Sequence, residues 1–205
     1  GSALGVPTDV TRQADVDALI GRALERFGRI DTLINNAGYG VFAPLEEAAI
    51  SDIEGMMEVN YFGTIRCTRA VLPVMRRQRR GHIINLASVA GLVSTPNMAA
   101  YAASKHAVVA ATQALQVELH GSPIHCSMIC PGPVDTPFFN RADYNRMSRL
   151  AKVFGILKPA EVARVIVHMI EHPRTMRVIP RGFHILAIAY RLFPFLTKRV
   201  LRWVG

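Results

Sequence analysis

The chain has 205 residues, 50% of them hydrophobic, and a formal net charge of +9. A chain of this length and hydrophobicity can bury one sizeable core, which favours a single compact domain over residues 1–205. Three scattered cysteines do not form the disulfide framework of a small secreted protein, and the basic residues lack the interleaved aromatic residues of a nucleic-acid-binding protein. No signal peptide is recognised. A cytoplasmic protein with buried, reduced thiols and no nucleic-acid partner is therefore expected.

Apolar periodicity and turn residues predict alternating helices and strands along the whole chain. A helix at 12–27 is followed by a buried strand at 30–35. Further on, the pattern predicts a short helix after Ser51, helices at 60–79, 98–120 and 160–171, and strands at 82–87, 124–130 and 176–179. Such alternation indicates an α/β fold with a parallel sheet between two helical layers and ligands at the carboxyl ends of the strands. Asn36, Ser88 and Pro131 each follow such an end.

Tyr101 and Lys105 lie one helical turn apart in the segment Tyr101-Ala-Ala-Ser-Lys105. A nearby ammonium favours a phenolate, so the lysine is expected to lower the pKa of Tyr101 and to suit the pair to proton transfer. Ser88 could hold a carbonyl or alcohol oxygen by hydrogen bonding while the tyrosine exchanges its proton. The pair alone is also typical of an ordinary exposed helix face. Together the three residues indicate interconversion of a carbonyl and an alcohol.

Three further segments accompany these residues in chain order: Asn35-Asn-Ala-Gly38, Asn60 within Val59-Asn-Tyr-Phe-Gly63, and Pro131-Gly-Pro-Val-Asp-Thr136. From Asp9 to about Gly182 the chain resembles the short-chain dehydrogenase/reductase family. The resemblance implies a Rossmann-like oxidoreductase that uses NAD or NADP. It also implies a homodimer or homotetramer with contacts through the helices at 60–79 and 98–120.

The resemblance assigns a role to each motif residue. Tyr101 would exchange the proton, Lys105 would assist it and hold ribose hydroxyls, and Ser88 would orient the substrate oxygen. Asn60 would bind a water that links Lys105 to solvent. Asp9 and Val10 would contact the adenine of the cofactor, and Asn36, Ala37 and Gly38 would pass close to its adenosine ribose. Besides Tyr101 and Lys105, the residues expected at the nicotinamide are Pro131, Gly132, Val134 and Thr136.

Some of these residues have simpler alternative roles. Asn36 is also expected to tie the central strands together, as it often does in the family. Asp9 could be an ordinary helix cap, Ser88 a turn hydroxyl, and Asn60 a side chain that caps or bends the long helix. The sequence alone leaves these alternatives open.

Members of this family begin with a strand, a glycine-rich turn and a helix that receives the pyrophosphate. No such run precedes Asp9. The fold is therefore expected to be N-terminally incomplete, with the strand at 30–35 lacking a neighbour on one side. The residues that distinguish NAD from NADP belong to that unit, so no preference is predicted. A catalytically inactive relative that acts by assembly with another chain is the second hypothesis.

Two apolar segments, 137–159 and 183–205, are predicted to cover the substrate or to make subunit contacts. The first contains Phe138, Phe139, Tyr144, Met147 and Leu150. In the second, Pro194 is expected to divide the helix, and one helical face contains Ile185, Ala189, Leu192 and Leu196. The segment is too short to span a bilayer, but peripheral contact with an anionic membrane is a further option. Both segments favour a lipophilic ketone, aldehyde or secondary alcohol as substrate.

One motif suggests a different class of enzyme. The segment His168-Met-Ile-Glu-His172 fits the pattern of an inverted zinc-metallopeptidase helix. No acidic residue follows Glu171 to complete the ligand set, and Pro173 ends the helix. An ordinary core helix is therefore favoured over a metal site.

Overall fold

The computed structural model describes residues 1–140, 155–197 and 199. Within these residues four parallel strands form one sheet in the order β1 (Thr32–Asn35), β2 (Gly81–Leu86), β3 (Ile124–Pro131) and β4 (Met176–Ile179). Helical connections join successive strands, as parallel pairing requires. The predicted α/β fold with a parallel sheet is confirmed.

The helices are α1 (Gln13–Phe27), α2 (Ile50–Met56), α3 (Thr64–Gln78), α4 (Ala99–Glu118), α5 (Pro159–Glu171) and α6 (Gly182–Leu192). A π-helix, Met57–Gly63, joins α2 directly to α3. The helices predicted after Ser51 and at 60–79 are both present, but the π-helix joins them without a loop, and α3 begins at Thr64 instead of at about residue 60. The other predicted elements are present, with small shifts at their ends.

Successive side chains of β2 enter two separate parts of the core. Ile83 packs in a cluster with Val71 of α3, whereas Ile84 packs with Val162 and Met169 of α5. Both isoleucines are fully buried. Because adjacent strand residues point to opposite faces, helices cover both faces of the sheet.

The sheet ends at β1, which pairs with β2 alone among the described strands. Ile34 of β1 lies in register with the buried Ile84, yet 41% of Ile34 is exposed. Leu33, on the other face, packs against the cluster around Ile83. The strand predicted at 30–35 is thus the sheet edge, as expected.

A buried polar network crosses the centre of the sheet. The Asn35 side-chain amide donates to Asn85 Oδ1 at 2.8 Å and to Thr68 Oγ1 at 3.1 Å. Asn85 in turn donates to Thr112 Oγ1 at 2.9 Å. The expectation that Asn36 ties the strands together was wrong, because Asn36 is exposed at the strand end and Asn35 faces the core.

The three cysteines, Cys67, Cys126 and Cys130, are buried and unpaired, as predicted. Burial raises the pKa of the Cys126 and Cys130 thiols to about 12. A thiol with so high a pKa stays protonated at neutral pH and is a poor nucleophile. These cysteines are therefore core residues.

Candidate active site

A cavity of about 470 Å³ opens where β2 and β3 end. This volume is typical of small-molecule sites, which span roughly 300–1,000 Å³. The lining includes most of the residues predicted to act on substrate or cofactor: Asn36, Gly38, Ser88, Tyr101, Lys105, Pro131, Gly132, Val134 and Thr136. Asp9, Val10, Ala37 and Asn60 are not among the lining residues. The strand order thus brings together segments from three parts of the sequence.

Tyr101 lies in the first turn of α4, and its ring is held between two phenylalanines. The ring centroids lie 5.7 Å from Phe42 and 5.5 Å from Phe138, both edge to face. Burial raises the pKa of Tyr101 to about 12, and a hydrogen bond from the Ser88 side chain opposes that rise. The prediction that Lys105 lowers this pKa was wrong for the unliganded protein, because desolvation of the phenolate dominates.

Lys105 lies one turn further along α4 and is 5% exposed. Its Nζ donates to the Leu86 carbonyl oxygen at 2.9 Å, which fixes the ammonium against the end of β2. An ammonium has three N–H donors, so this bond leaves capacity for further acceptors in the cavity. Burial lowers the pKa of Lys105 to about 8, because the charged form is poorly solvated.

Ser88 follows β2 in extended backbone and begins a short 3₁₀ turn, Val89–Gly91. Its Oγ accepts a hydrogen bond from the Ala90 N–H at 3.1 Å, so the alternative role as a turn hydroxyl is real. The same hydroxyl lines the cavity and keeps its own proton for donation to Tyr101 or to a bound oxygen. The two roles are compatible.

Asn60 occupies the π-helix and is 1% exposed. Its amide accepts from the Tyr39 N–H and donates to the Tyr39 carbonyl oxygen, both at 2.9 Å, and donates to Ser104 Oγ at 2.9 Å. Both amide N–H groups are therefore used within the protein. The side chain fastens the loop after β1 to α4, and the irregular helix around it agrees with the helix-bending alternative.

Two supporting residues were not predicted. Ser104 Oγ donates to the Tyr101 carbonyl oxygen at 2.8 Å and links Asn60 to the turn of α4 that carries Tyr101. At Gly40, a Cβ atom would lie 2.7 Å from Phe138 Cζ and 3.1 Å from Tyr101 Cδ2, so the loop can approach the phenol only without a side chain. Ser104 could have been noticed in the sequence, because it lies between Tyr101 and Lys105 in the segment that predicts the site.

Most of the residues predicted to contact the adenosine end of the cofactor are exposed to solvent. Asp9, Asn36, Ala37 and Gly38 are exposed. The Asp9 carboxylate accepts from the backbone N–H of Thr11 at 2.9 Å and from its hydroxyl at 2.8 Å, and these bonds lower the pKa of Asp9.

Asp9 does not cap a helix. Helix α1 begins at Gln13, and its N-cap is Arg12, whose side chain makes no capping bond. The alternative role of Asp9 as an N-cap was therefore wrong. Its predicted adenine contact stays a prediction.

Apolar side chains form much of the cavity wall. They come from the loop after β1, the segment before α4, the turn after β3, and α5 and α6: Phe42, Val93, Met98, Phe138, Val162, Ile166, Phe183 and Leu186. Phe138 and Phe183 belong to the two segments predicted to cover the substrate. Tyr144, Met147 and Leu150 lie outside the described residues, as does the side chain of Phe139.

The predicted apolar face of α6 is not the face that packs on the core. Phe183 and Ala187 are buried, whereas Ile185 and Leu192, placed together on the predicted apolar face, are 71% and 66% exposed. The helix ends at Leu192 and helical backbone resumes at 194–197, so the predicted division at Pro194 is confirmed. No described helix is long and apolar enough to cross a membrane.

The three candidate metal ligands of the histidine motif on α5 lie close together. Ligand atoms of His168, Glu171 and His172 all lie within 4.8 Å of one another, and all three residues are exposed. None lines the cavity, which α5 approaches through Val162 and Ile166 instead. The motif is therefore separate from the candidate active site.

Comparison with known proteins identifies the family. Residues 1–146 match the family model described as short chain dehydrogenase. An uncharacterized oxidoreductase of Staphylococcus saprophyticus is 41% identical over 175 residues, which are 83% of this chain and 71% of that protein. One from Staphylococcus aureus is 35% identical over 173 residues, covering 84% of this chain and 72% of its own length.

Solved structures agree with this result. A short chain dehydrogenase/reductase from Burkholderia phymatum, in complex with NAD, superposes with a TM-score of 0.84 and 32% identity, over 94% of this chain and 76% of that one. ElxO with NADP bound gives a TM-score of 0.76 and 26% identity, over 85% and 75% of the two chains. The family resemblance is confirmed: the chain belongs to the short chain dehydrogenase family of oxidoreductases.

Proposed function

We propose that the protein is an NAD(P)-dependent oxidoreductase that interconverts a lipophilic carbonyl compound and its secondary alcohol. One observation carries this proposal. The Tyr101 phenol, the Ser88 hydroxyl and the Lys105 ammonium all line one largely apolar cavity at the carboxyl ends of the strands. These groups suit proton exchange with a substrate oxygen.

The residues present fit a nicotinamide nucleotide. Lys105 has N–H donors beyond its bond to Leu86 and would hold the ribose hydroxyls. Val134 and Thr136 lie after β3 on the cavity wall and would hold the carboxamide. When bound, the nicotinamide supplies or accepts the hydride. The solved relatives hold NAD in one case and NADP in another, and the preference of this chain stays open.

The protonation states of the chain's own groups favour acid catalysis. A phenol with a pKa of about 12 is protonated at neutral pH, so Tyr101 can donate to a carbonyl oxygen that is being reduced. Ser88 would hold that oxygen in reach of the phenol. Lys105, with a pKa of about 8, can lose and regain a proton near neutral pH and would restore the proton on Tyr101. Oxidation of an alcohol would need a phenolate, which the unliganded cavity disfavours.

The cavity wall favours a lipophilic substrate. Phe138 lies against Tyr101, and Phe183 and Leu186 of α6 reach the same space. Apolar surface of a substrate gains roughly 25 cal/mol for each Å² that these side chains remove from water. A sugar hydroxyl placed against them would lose its water partners without replacement.

The test is a turnover assay with matched substrates. The purified protein is given NADH or NADPH and either a linear aliphatic ketone or its polyhydroxylated analogue of equal chain length, and nucleotide oxidation is followed by absorbance. We expect the ketone to have a kcat/KM at least about tenfold higher. Equal kcat/KM values for the two substrates would contradict the lipophilic pocket, and no turnover of any carbonyl would contradict the proposed reaction.

Self-association is part of the proposal. Val117 on α4 is 76% exposed and Phe62 in the π-helix is 42% exposed, on the two helical segments expected to form subunit contacts. We expect a homodimer or homotetramer by light scattering. Substituting Val117 by Glu should shift the protein toward the monomer.

A further inference from the structure

We infer that α6 and the turn after it dock the protein on an anionic membrane surface, next to the cavity mouth. The surface consists of six exposed apolar residues, called here the outer α6 surface: Ile185, Ile188, Leu192, Phe193, Phe195 and Leu196. Their exposed fractions are 71%, 48%, 66%, 59%, 93% and 67%. Monomeric soluble proteins rarely leave so many large apolar side chains together in water, and such clusters mark interaction sites.

The exposed apolar residues of α6 lie on one face of the helix. Ile185, Ile188 and Leu192 are spaced three and four residues apart and therefore form one stripe. Phe183 and Ala187 on the opposite face are buried in the core. The helix is already anchored by its inner face, so the outer stripe is not needed to hold it in the described fold.

Charge identifies the occupant as an anionic bilayer. Residues 172–205 contain seven basic residues and no acidic one. Arg181, Arg191 and Arg199 are exposed and lie before, among and after these apolar residues along the chain. A second copy docked through the same surface would bring two such positive segments together, whereas anionic headgroups attract each basic residue. Apolar side chains flanked by basic residues are the pattern of an interfacial helix.

The location relates the surface to the proposed function. Phe183 and Leu186 of α6 line the cavity from one side of the helix, while the stripe lies on the other. A helix resting in the headgroup region would place the cavity beside the acyl chains, from which a lipophilic substrate could enter. This consequence rests on the proposed function; membrane binding itself does not.

The test is co-sedimentation with vesicles, which needs neither nucleotide nor activity. Wild-type protein is mixed with vesicles of phosphatidylcholine alone, or of equal parts phosphatidylcholine and phosphatidylglycerol. We expect binding to the anionic vesicles that weakens as salt is added. The triple variant I185S/L192S/F195S should bind on the order of a hundredfold more weakly. The double variant R191Q/R199Q should bind about tenfold more weakly.

Matched controls change equally exposed residues elsewhere. The triple variant L45S/I50S/V167S removes apolar side chains that are 65%, 67% and 54% exposed, and R76Q/R77Q removes two exposed arginines of α3. Both should bind as the wild type does, and circular dichroism checks that every variant is folded.

Three results would overturn the inference. One is equal sedimentation with neutral and anionic vesicles. Another is unchanged binding of I185S/L192S/F195S. The third is the absence of binding to the anionic vesicles; if the wild type is then a dimer that the same triple variant dissociates, the outer α6 surface is a contact between copies. Failure of the turnover assay would leave all of these readouts unaffected.

Discussion

The two sides of the candidate site differ in how much of the fold supports them. Where β2 and β3 end, Ser88, Tyr101 and Lys105 are buried and held by hydrogen bonds or ring contacts. Where β1 ends, Asn36 and Gly38 are exposed at the sheet edge. The groups proposed to transfer the proton are thus positioned by the core, whereas the residues proposed to contact the nucleotide after β1 are exposed. Substitutions on the first side should change turnover or stability, and those on the second should change nucleotide affinity alone.

Replacing Tyr101 by Phe should have the largest effect. The phenylalanine keeps the ring contacts with Phe42 and Phe138 but removes the proton donor, so kcat should fall about 10²- to 10⁴-fold with little change in Tm. The matched control is Tyr61→Phe, which removes a hydroxyl outside the cavity lining. A Tyr101→Phe enzyme with the wild-type kcat would contradict the role of Tyr101 as the proton donor.

Lys105→Met should have the next largest effect. The substitution removes the ammonium and leaves the Leu86 carbonyl oxygen without its donor. We expect kcat to fall on the order of 10²-fold and KM for the nucleotide to rise, measured by steady-state kinetics. A change in KM with kcat intact would restrict Lys105 to holding the nucleotide.

The network beneath the site should matter for stability. Asn85→Leu leaves Asn35 and Thr112 with an unpaired group inside the sheet, and we expect the free energy of unfolding to fall by about 1–3 kcal/mol in urea denaturation. Asn36→Leu, one residue beyond β1, is the matched control and should change it by less than about 0.5 kcal/mol. Equal losses in both variants would mean that the bond between Asn35 and Asn85 contributes no more to stability than the exposed Asn36 does.

The buried pair should make stability depend on alkaline pH. The pKa of Lys105 is lowered from 10.5 to about 8, so the unfolded state binds more protons between these values and stability should rise with pH there. The pKa of Tyr101 is raised from 10 to about 12, so stability should fall as pH rises from 10 toward 12. Between pH 7 and pH 9.5, urea denaturation should show the wild type gaining about 2 kcal/mol relative to Lys105→Met. The comparison with the variant is needed because the Cys126 and Cys130 thiols, whose pKa is raised to about 12, lower the stability of both proteins over the same pH range. Equal pH dependence of the two proteins would contradict the lowered pKa of Lys105.

The smallest effect is expected at the exposed edge. Asn36→Ala should raise the dissociation constant of the nucleotide by a few fold, about 1 kcal/mol, and leave kcat and Tm unchanged. Isothermal titration calorimetry with NADH and NADPH measures this directly. A large loss of kcat in this variant would remove the distinction between the two sides.

Periodicity in the sequence was enough to predict the sheet, most of the helices and the placement of Asn36, Ser88 and Pro131 at one edge. It could not predict the protonation of Tyr101, because burial is set by residues distant in sequence such as Phe42 and Phe138. The family resemblance placed the strand-tying role on Asn36 instead of Asn35. Neighbouring residues of a strand point to opposite faces, so an error of one position reverses the environment.

The continuous helix through Asn60 had no local signal either. The segment between α2 and α3 contains no proline and no turn sequence, but π-helical hydrogen bonding is not readable from side-chain spacing. The interactions of Asn60 with Tyr39 and Ser104 join three separate parts of the chain. Only the folded structure brings these parts together.

The most direct measurement of the central claim follows the hydride. The protein is incubated with a lipophilic ketone and with NADH or NADPH deuterated at the transferred position, and the product is analysed by mass spectrometry. Carbonyl reduction in this cavity predicts a secondary alcohol that carries deuterium on the carbinol carbon, formed by the wild type at least about a hundredfold faster than by Tyr101→Phe. No labelled alcohol with either nucleotide, or equal labelling rates in the two proteins, would contradict it.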